Sequence, residues 1–270
     1  MDCCVFSKHL QDYDFGELGR ALSGIGVDGV DLTVRPGGHV EPEEAADRLP
    51  EAVDALKQEG VRVRMITTAI TDAAEPHAGD VLEAAAGEGI RFFKLGYYPY
   101  DGFGTLRAGL AEVKAKLRDL AAMASELGLW AGFHNHSGPY VGAHLAHVRE
   151  LLDDLDPDAI GSYFDVGHAT VEGAFRGWLL GLDDLADRVR MIAVKDLDVK
   201  RGDAKWPTTT RPLGEGLVQW RRLIPVLKQI ERNVGPISHH GEYGDLSAAE
   251  VCEQVRRDIA FFDRIWEENE

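Results

Sequence analysis

Cysteine is scarce in this sequence, and long hydrophobic runs are missing. The 270 residues include 3 cysteines, of which Cys3 and Cys4 are adjacent and Cys252 is far away, so we predict no disulfide framework. No apolar segment approaches the roughly 18 residues that a transmembrane helix needs. We therefore expect a protein of the reducing cytoplasm with no membrane partner.

Basic residues are also few relative to acidic ones. The chain has 29 Lys and Arg against 46 Asp and Glu, a formal net charge of −17. Such a surface repels phosphate backbones, so nucleic acid is not an expected partner. No low-complexity segment or long linker divides the chain, which favours a single domain over residues 1–270.

A glycine-rich phosphate loop is absent after the first apolar run, where FSKHLQD stands instead. This argues against a doubly wound dinucleotide-binding sheet. Short apolar runs alternate with amphipathic segments, and eight such units fit a (β/α)8 TIM barrel of the α/β class. The predicted strands are Cys3–Phe6, Gly29–Thr33, Val61–Thr67, Arg91–Leu95, Leu129–His134, Ile160–Asp165, Met191–Lys195 and Ile237–Glu242.

Five amphipathic segments are predicted as helices. Within 106–127 the apolar residues recur at the three-to-four spacing of a buried stripe, and Gly60, Gly89 and Gly128 follow helical segments as left-handed caps would. The predicted helices are Glu43–Glu59, Leu106–Leu127, Ala143–Leu152, Leu217–Glu231 and Ser247–Glu267.

Polar side chains gather where the predicted strands end, which is the face of a TIM barrel that carries the active site. Six of the ten histidines lie at these ends: His9, His134, His136, His168, His239 and His240. Thr67 and Thr68 also follow a strand, but two threonines there are typical of a helix cap. The excess of histidine on one face indicates a site.

Alternation along a strand predicts which of these groups meet. Residues two apart share a face, so His134 and His136 point together, as do His240 and Glu242. Asp165 ends the strand between them. Such a mixed nitrogen and oxygen set suits Mn²⁺, Co²⁺, Zn²⁺ or Fe²⁺.

At these residues the sequence resembles the sugar phosphate isomerase/epimerase family of xylose isomerase-like barrels, which includes ketose 3-epimerases, inosose isomerases and inosose dehydratases. The matching motifs are FHNHSG, FDVGHAT, VKD, RPLGEGLVQW and ISHHGEY, in the family's order along the second half of the chain.

The resemblance implies one divalent metal with four ligands. In strand order they are a glutamate from strand five, an aspartate from strand six, a histidine from strand seven and a glutamate from strand eight. Asp165 and Glu242 match the family pattern directly. His134 stands where many members have a glutamate, and Ala193 stands where the third ligand is usually a histidine. Three interpretations stay open: His134, Asp165, His240 and Glu242 hold the metal; His136 replaces the missing ligand; or the site binds no metal and Lys195 supplies the positive charge.

The activity that the resemblance implies is isomerisation or epimerisation of a ketose, keto-sugar or cyclitol ketone. A proton next to a carbonyl is removed, and the metal stabilises the resulting enediolate. The alternatives are a lyase or dehydratase acting on a 3-keto-sugar or inosose by the same first step, and a non-catalytic sugar-binding protein with a decayed metal site.

The resemblance also assigns roles to single residues. Glu242 is the predicted base, His134 or His136 the second proton carrier, and Lys195 a source of positive charge near the oxyanion. The predicted substrate contacts are His168, His136, Arg211, Lys94 and Trp206. Homodimerisation is a further expectation from the family.

Overall fold

Eight parallel strands close into a barrel in the described part of the chain. The structure, a computed structural model, describes residues 3–203, 206–230 and 234–268. These ranges contain the eight barrel strands and two further strands, β8 and β9, which lie outside the barrel. In chain order the strands are β1 (Cys3–Phe6), β2 (Gly29–Thr33), β3 (Arg62–Thr67), β4 (Phe92–Lys94), β5 (Trp130–His134), β6 (Ile160–Asp165), β7 (Val189–Val194), β8 (Asp196–Val199), β9 (Thr208–Arg211) and β10 (Ile237–His239). The barrel order is β1-β10-β7-β6-β5-β4-β3-β2, which confirms the predicted (β/α)8 class.

Helices cover the outside of this barrel. They are α1 (Phe15–Gly24), α2 (Ala45–Gln58), α3 (Ala78–Gly87), α4 (Leu106–Leu127), α5 (Leu145–Leu152), α6 (Val166–Glu172), α7 (Gly177–Leu185), α8 (Trp220–Ile230) and α9 (Ala248–Glu267). No helix in the described ranges is long and apolar enough to span a bilayer.

Local sequence signals explain where several helices begin and end. Asp14 and Glu17 form a capping box at the start of α1, as Ser247 and Glu250 do for α9. The predicted left-handed caps are confirmed: φ is 79° at Gly60, 73° at Gly89 and 69° at Gly128, a conformation that glycine adopts without steric cost.

Some predicted bounds and one predicted role are wrong. The last barrel strand ends at His239, not at Glu242, and α8 begins at Trp220, not at Leu217. The predicted end of that helix, Glu231, lies outside the described residues. Thr67 and Thr68 cap no helix, because their hydroxyls donate to Asp31 Oδ1 and the Lys94 carbonyl.

An antiparallel hairpin of β8 and β9, which pairs Asp196 with Arg211, is an insertion that the sequence did not predict. It follows β7 at the end of the barrel that carries the predicted site. The carboxylate of Asp196 anchors the next loop, because it accepts hydrogen bonds from the backbone N–H groups of Gly214 and Val218 and from the Trp220 indole.

The barrel interior is filled by a small cluster of side chains below the site. It is separate from the large core between strands and helices and consists of Cys4, Met65, Trp130, Tyr163, Met191 and Ala193. Ala193, where the family pattern has a histidine, is fully buried in this cluster. This position on β7 therefore contributes packing and no ligand.

Candidate active site

Three potential ligands meet at the carboxyl end of the barrel. His134 ends β5, Asp165 ends β6 and His240 follows β10 directly. One ligand atom from each lies within 4.8 Å of the others, and all three residues are buried. Among the described residues, Glu242 does not belong to this group.

His134 is positioned to bind a metal ion or to accept a proton. Its Nε2 lies 3.2 Å from Asp165 Oδ2 and its side chain is 0% exposed. Neither ring nitrogen makes a hydrogen bond within the described residues. Burial, with the nearby charges of Lys94 and Lys195, lowers the pKa of His134 well below its ordinary value, so the imidazole is neutral.

Lys195 joins the two carboxylates that match the family pattern. Its Nζ lies 3.1 Å from Asp165 Oδ2 and 3.2 Å from Glu242 Oε2, and its side chain is 3% exposed. Gly167 leaves room for it, because a Cβ at this position would lie 2.9 Å from Lys195 Cγ. The buried ammonium thus lies between two acidic groups, one at the end of β6 and one in the loop after β10.

The charges of this group reinforce one another. Burial by itself lowers the pKa of Lys195, but attraction to Asp165 and Glu242 raises it above the ordinary value. Burial likewise opposes ionisation of Glu242, yet Lys195, His240 and Lys8 hold its pKa well below the usual range. Lys8 Nζ lies 2.7 Å from Glu242 Oε1. Both carboxylates are therefore ionised and Lys195 is charged at neutral pH.

Asp165 has a second function, as the N-cap of α6. Its Oδ1 accepts a hydrogen bond of 2.8 Å from the His168 backbone N–H. The Asn135 side chain accepts from the Asp165 N–H at 2.8 Å and donates to the Asp165 carbonyl at 3.1 Å. These bonds fix the end of β6 against β5, so that Oδ2 faces His134 and Lys195.

Two further imidazoles flank His134. The rings of His136 and His168 lie 3.9 Å apart, and His168 Nδ1 lies 2.8 Å from Ser137 Oγ. His136 Nδ1 lies 2.8 Å from the Ser137 carbonyl, so this nitrogen carries the proton. Burial lowers the pKa of both histidines. They are neutral polar groups beside the three potential metal ligands.

Tyr97 is an aromatic residue of the site to which the sequence interpretation assigned no role. The Lys94 ammonium lies 3.8 Å from its ring centre, and the rings of His134 and His136 lie 5.8 and 4.6 Å away. The adjacent Tyr98 instead stacks on Phe133 in the core. Both tyrosines follow β4, which ends at Lys94, so strand alternation does not predict which of them faces the site.

Lys94 is fully buried at the end of β4. Its Nζ donates to the Leu95 carbonyl at 2.6 Å. Burial, with repulsion from Arg35, lowers the pKa of Lys94 to about 7. Lys94, a predicted substrate contact, therefore lies beside Tyr97 in the wall of the site and is shielded from solvent.

The other predicted substrate contacts lie on the hairpin. Trp206 is 68% exposed. Arg211 is half-buried, and its Nε makes no hydrogen bond within the described residues. Neither residue is among the described contacts of His134, Asp165 or Glu242, so their roles stay predictions.

The alternation argument that placed His240 and Glu242 on one face does not apply, because β10 ends before both residues. His240 reaches towards Asp165 and Tyr163, whereas Glu242 contacts Lys8 and Lys195. Both nevertheless lie at the same end of the barrel as Asp165. Lys195, not a shared strand face, connects Glu242 to the remaining residues of the site.

The residues present fit a single divalent ion through three ligands. Two neutral imidazoles and one carboxylate form a donor set that several transition metals accept. The unbonded nitrogens of His134 are what a ligand position requires. The ammonium of Lys195 contacts Asp165 Oδ2, an oxygen of the carboxylate in this donor set.

Comparison with known proteins supports this view of the fold. Residues 19–262 match the family described as xylose isomerase-like TIM barrel. A solved D-psicose 3-epimerase, studied in the presence of D-fructose, has a TM-score of 0.75 and 15% identity, over 98% of this chain and 99% of that chain. A 3-keto-D-glucoside 4-epimerase from E. coli has a TM-score of 0.73 and 16% identity over the same shares.

One curated relative matches a shorter stretch. An inosose dehydratase of Halalkalibacterium halodurans is 31% identical over 81 residues, which is 30% of this chain. The match spans 26% of that relative's length. The similarity to the solved structures, at these identities, shows the fold alone.

Proposed function

Because the chain belongs to the xylose isomerase-like TIM barrel family, we propose that this enzyme isomerises or epimerises a ketose, keto-sugar or cyclitol ketone. It does so by removing a proton next to the carbonyl. The observation that carries the proposal is the buried Lys195 ammonium within 3.2 Å of both Asp165 and Glu242, beside the imidazoles of His134 and His240. This group combines a base with a cation for a developing oxyanion.

Glu242 is the base. Its carboxylate is ionised, because two lysines lower its pKa, and its side chain is 20% exposed, so a bound substrate can reach it. A carboxylate at this position removes the proton from the carbon next to the carbonyl. Lys195 stabilises the negative charge that then develops on the substrate oxygen.

A divalent ion, Mn²⁺, Co²⁺, Zn²⁺ or Fe²⁺, would be held by His134, Asp165 and His240. When bound, it supplies a Lewis acid that polarises the substrate carbonyl. Glu242 remains hydrogen-bonded to Lys8 and Lys195 and stays available as the base.

The second proton carrier is His136. The His134 side chain is fully buried, whereas His136 is partly exposed. Because His136 Nδ1 donates to Ser137, its Nε2 keeps a lone pair that exchanges a proton with the substrate. His168, held by Ser137, positions a substrate hydroxyl.

A lyase that removes water from a 3-keto-sugar or inosose is the second candidate. It uses the same first proton abstraction, and the β-hydroxyl then receives a proton from Glu242 or His136 and leaves as water. The 31% identity to an inosose dehydratase over 81 residues favours this candidate. The two activities differ in the product, not in the residues required.

Solvent deuterium tests the common step. The protein, as purified and loaded with Mn²⁺, is incubated in D₂O with separate unphosphorylated ketoses and cyclitol ketones, and mass spectrometry follows the sugars. Deuterium uptake with unchanged elemental composition supports the isomerase or epimerase, and loss of water supports the lyase. Binding without deuterium uptake for any substrate would instead indicate a sugar-binding protein and contradict the proposal.

A further inference from the structure

A carboxylate on the outer helix α9 accepts hydrogen bonds from chain segments that border the site. Asp258 is 2% exposed. Its Oδ1 accepts a hydrogen bond of 3.0 Å from the Leu213 backbone N–H and one of 2.9 Å from the Gln254 side chain. Its Oδ2 lies 3.1 Å from His239 Nε2 and accepts a further hydrogen bond from the Tyr243 hydroxyl. These four donors offset the cost of burying a carboxylate, which is high for an unpaired charge.

Two of the donors flank the residue proposed as the base. His239 is the last residue of β10 and its side chain points to α9. Tyr243 follows Glu242 directly in the chain. The Asp258 carboxylate therefore holds the chain both before and after the segment 240–242, which carries Glu242.

The segment 240–242 packs directly on α9. Strand β10 ends before it, and the backbone N–H groups of Glu242 and Tyr243 donate at 2.9 Å to the carbonyls two residues earlier in the same loop. A Cβ at Gly241 would lie 2.7 Å from Val255 Cγ2 on α9. Because strand pairing ends before Glu242, the contacts with α9 set the position of its backbone.

We propose that Asp258 is a positioning residue for proton abstraction by Glu242. It holds the loop through His239 and Tyr243. The Glu242 carboxylate thereby stays beside the Lys195 ammonium, at 3.2 Å. Asp258 acts through this loop and not on the substrate. The inference rests on the proposed function, because it needs Glu242 as the base.

A small displacement of Glu242 is expected to be costly. A catalytic group has to be held within about 0.5 Å of its productive geometry, and a misplacement of about 1 Å can lower the rate about 100-fold. Lys8 and Lys195 orient the end of the Glu242 side chain. Asp258 fixes the backbone from which that side chain extends, so both kinds of support are needed.

Hydrogen exchange of backbone amides, measured by mass spectrometry on the protein as purified, tests whether Asp258 holds the loop. In Asp258→Asn one oxygen becomes an NH₂ group, which cannot accept from the donors that face it. Peptides covering 211–214 and 240–243 are expected to exchange at least about 10-fold faster than in wild type. Peptides from α4 should keep the wild-type rate, which excludes general unfolding. Asp263→Asn, at an exposed position of α9, is the matched control and should leave exchange unchanged.

Tyr243→Phe removes one of the two connections and leaves the carboxylate in place. Exchange within 240–243 is again expected to accelerate, so this variant decides even where Asp258→Asn does not fold. Tyr98→Phe is its control, because it removes another buried tyrosine hydroxyl, which donates to the Thr71 carbonyl. It should leave exchange within 240–243 at the wild-type rate.

A double-mutant cycle with Glu242→Gln tests whether Asp258 acts through the base. Deuterium incorporation in D₂O is measured on the substrate that shows uptake with wild type. Asp258→Asn should lower this rate about 10- to 100-fold when Glu242 is present. In the Glu242→Gln background it should have no further effect, because residue 242 no longer removes the proton. A residue that only supports the fold would lower the rate equally in both backgrounds.

Wild-type amide exchange within 240–243 in both Asp258→Asn and Tyr243→Phe would overturn the inference, as would equal losses of rate in the two backgrounds. Failure of the proposed function gives a different result: no substrate takes up deuterium with wild type, while 240–243 still exchanges faster in both variants. That result contradicts Glu242 as the base, and with it the positioning role, but retains Asp258 as the anchor of the loop.

Discussion

The ammonium of Lys195 lies 3.2 Å from Glu242 Oε2 inside the mouth of the barrel. The same nitrogen lies 3.1 Å from Asp165 Oδ2, so a carboxylate at the end of β6 and one in the loop after β10 share one buried cation. Removing this ammonium leaves the buried Asp165 carboxylate without its counter-charge.

Lys195→Met should change turnover and metal binding in opposite directions. Loss of the ammonium removes stabilisation of the oxyanion, so kcat is expected to fall about 10²- to 10³-fold. The Lys195 ammonium also repels a cation bound at Asp165. Its loss should therefore strengthen Mn²⁺ binding by the metal-free protein. Steady-state kinetics and titration calorimetry measure the two effects.

Lys200→Met is the matched control for Lys195→Met, because Lys200 is exposed on the hairpin. It should leave both quantities unchanged. Wild-type turnover in Lys195→Met would show that the ammonium has no part in the reaction.

Asp165→Asn should lower metal content and activity together. Asparagine is also a good N-cap, so α6 keeps its first hydrogen bond while the site loses one negative charge. Elemental analysis of the purified variant, with kinetics on the same sample, checks this expectation. Asp183→Asn, at an exposed position of α7, serves as the control. Full metal content and turnover in Asp165→Asn would refute the ligand role.

Lys94 should make stability depend on pH. Its pKa is about 7 in the folded protein and 10.5 ordinarily, so between these values the unfolded chain binds more protons and the free energy of unfolding rises with pH. Below pH 7 the folded protein bears the whole free-energy cost of burying the charged Lys94 ammonium. This cost decreases as the pH rises towards 10.5. The contribution reaches at most about 1.4 kcal/mol per pH unit.

Urea denaturation at a series of pH values compares wild type with Lys94→Met. The stability of the variant relative to wild type is expected to be greatest near neutral pH and to shrink towards about pH 10. Lys57→Met, at an exposed position of α2, should show no such trend. A stability difference that does not vary with pH would mean that Lys94 titrates normally.

Periodic patterns predicted the fold well because they report burial. The apolar stripe placed α4 at Leu106–Leu127, and the structure has the same bounds. The hairpin was missed because Thr208–Arg211 is half-buried or exposed on both faces. Such a strand carries no apolar alternation, so its sequence does not indicate that it pairs with Asp196–Val199.

The site was predicted in part. Motif position identified Asp165 and Glu242, and the structure connects them through Lys195. The hydrogen bond between Ser238 and Asp31 was not predicted, because the two residues are separated by 207 positions and meet only when the barrel closes. The Lys8 contact with Glu242 was missed for the same reason.

Deuterium exchange catalysed by Glu242→Gln tests the central claim most directly. In D₂O, wild type should introduce deuterium next to the carbonyl of its substrate, and Glu242→Gln should do so at least about 100-fold more slowly. Glu126→Gln, at an exposed position of α4, should retain the wild-type rate. Exchange by Glu242→Gln at the wild-type rate would contradict the assignment of this carboxylate as the base.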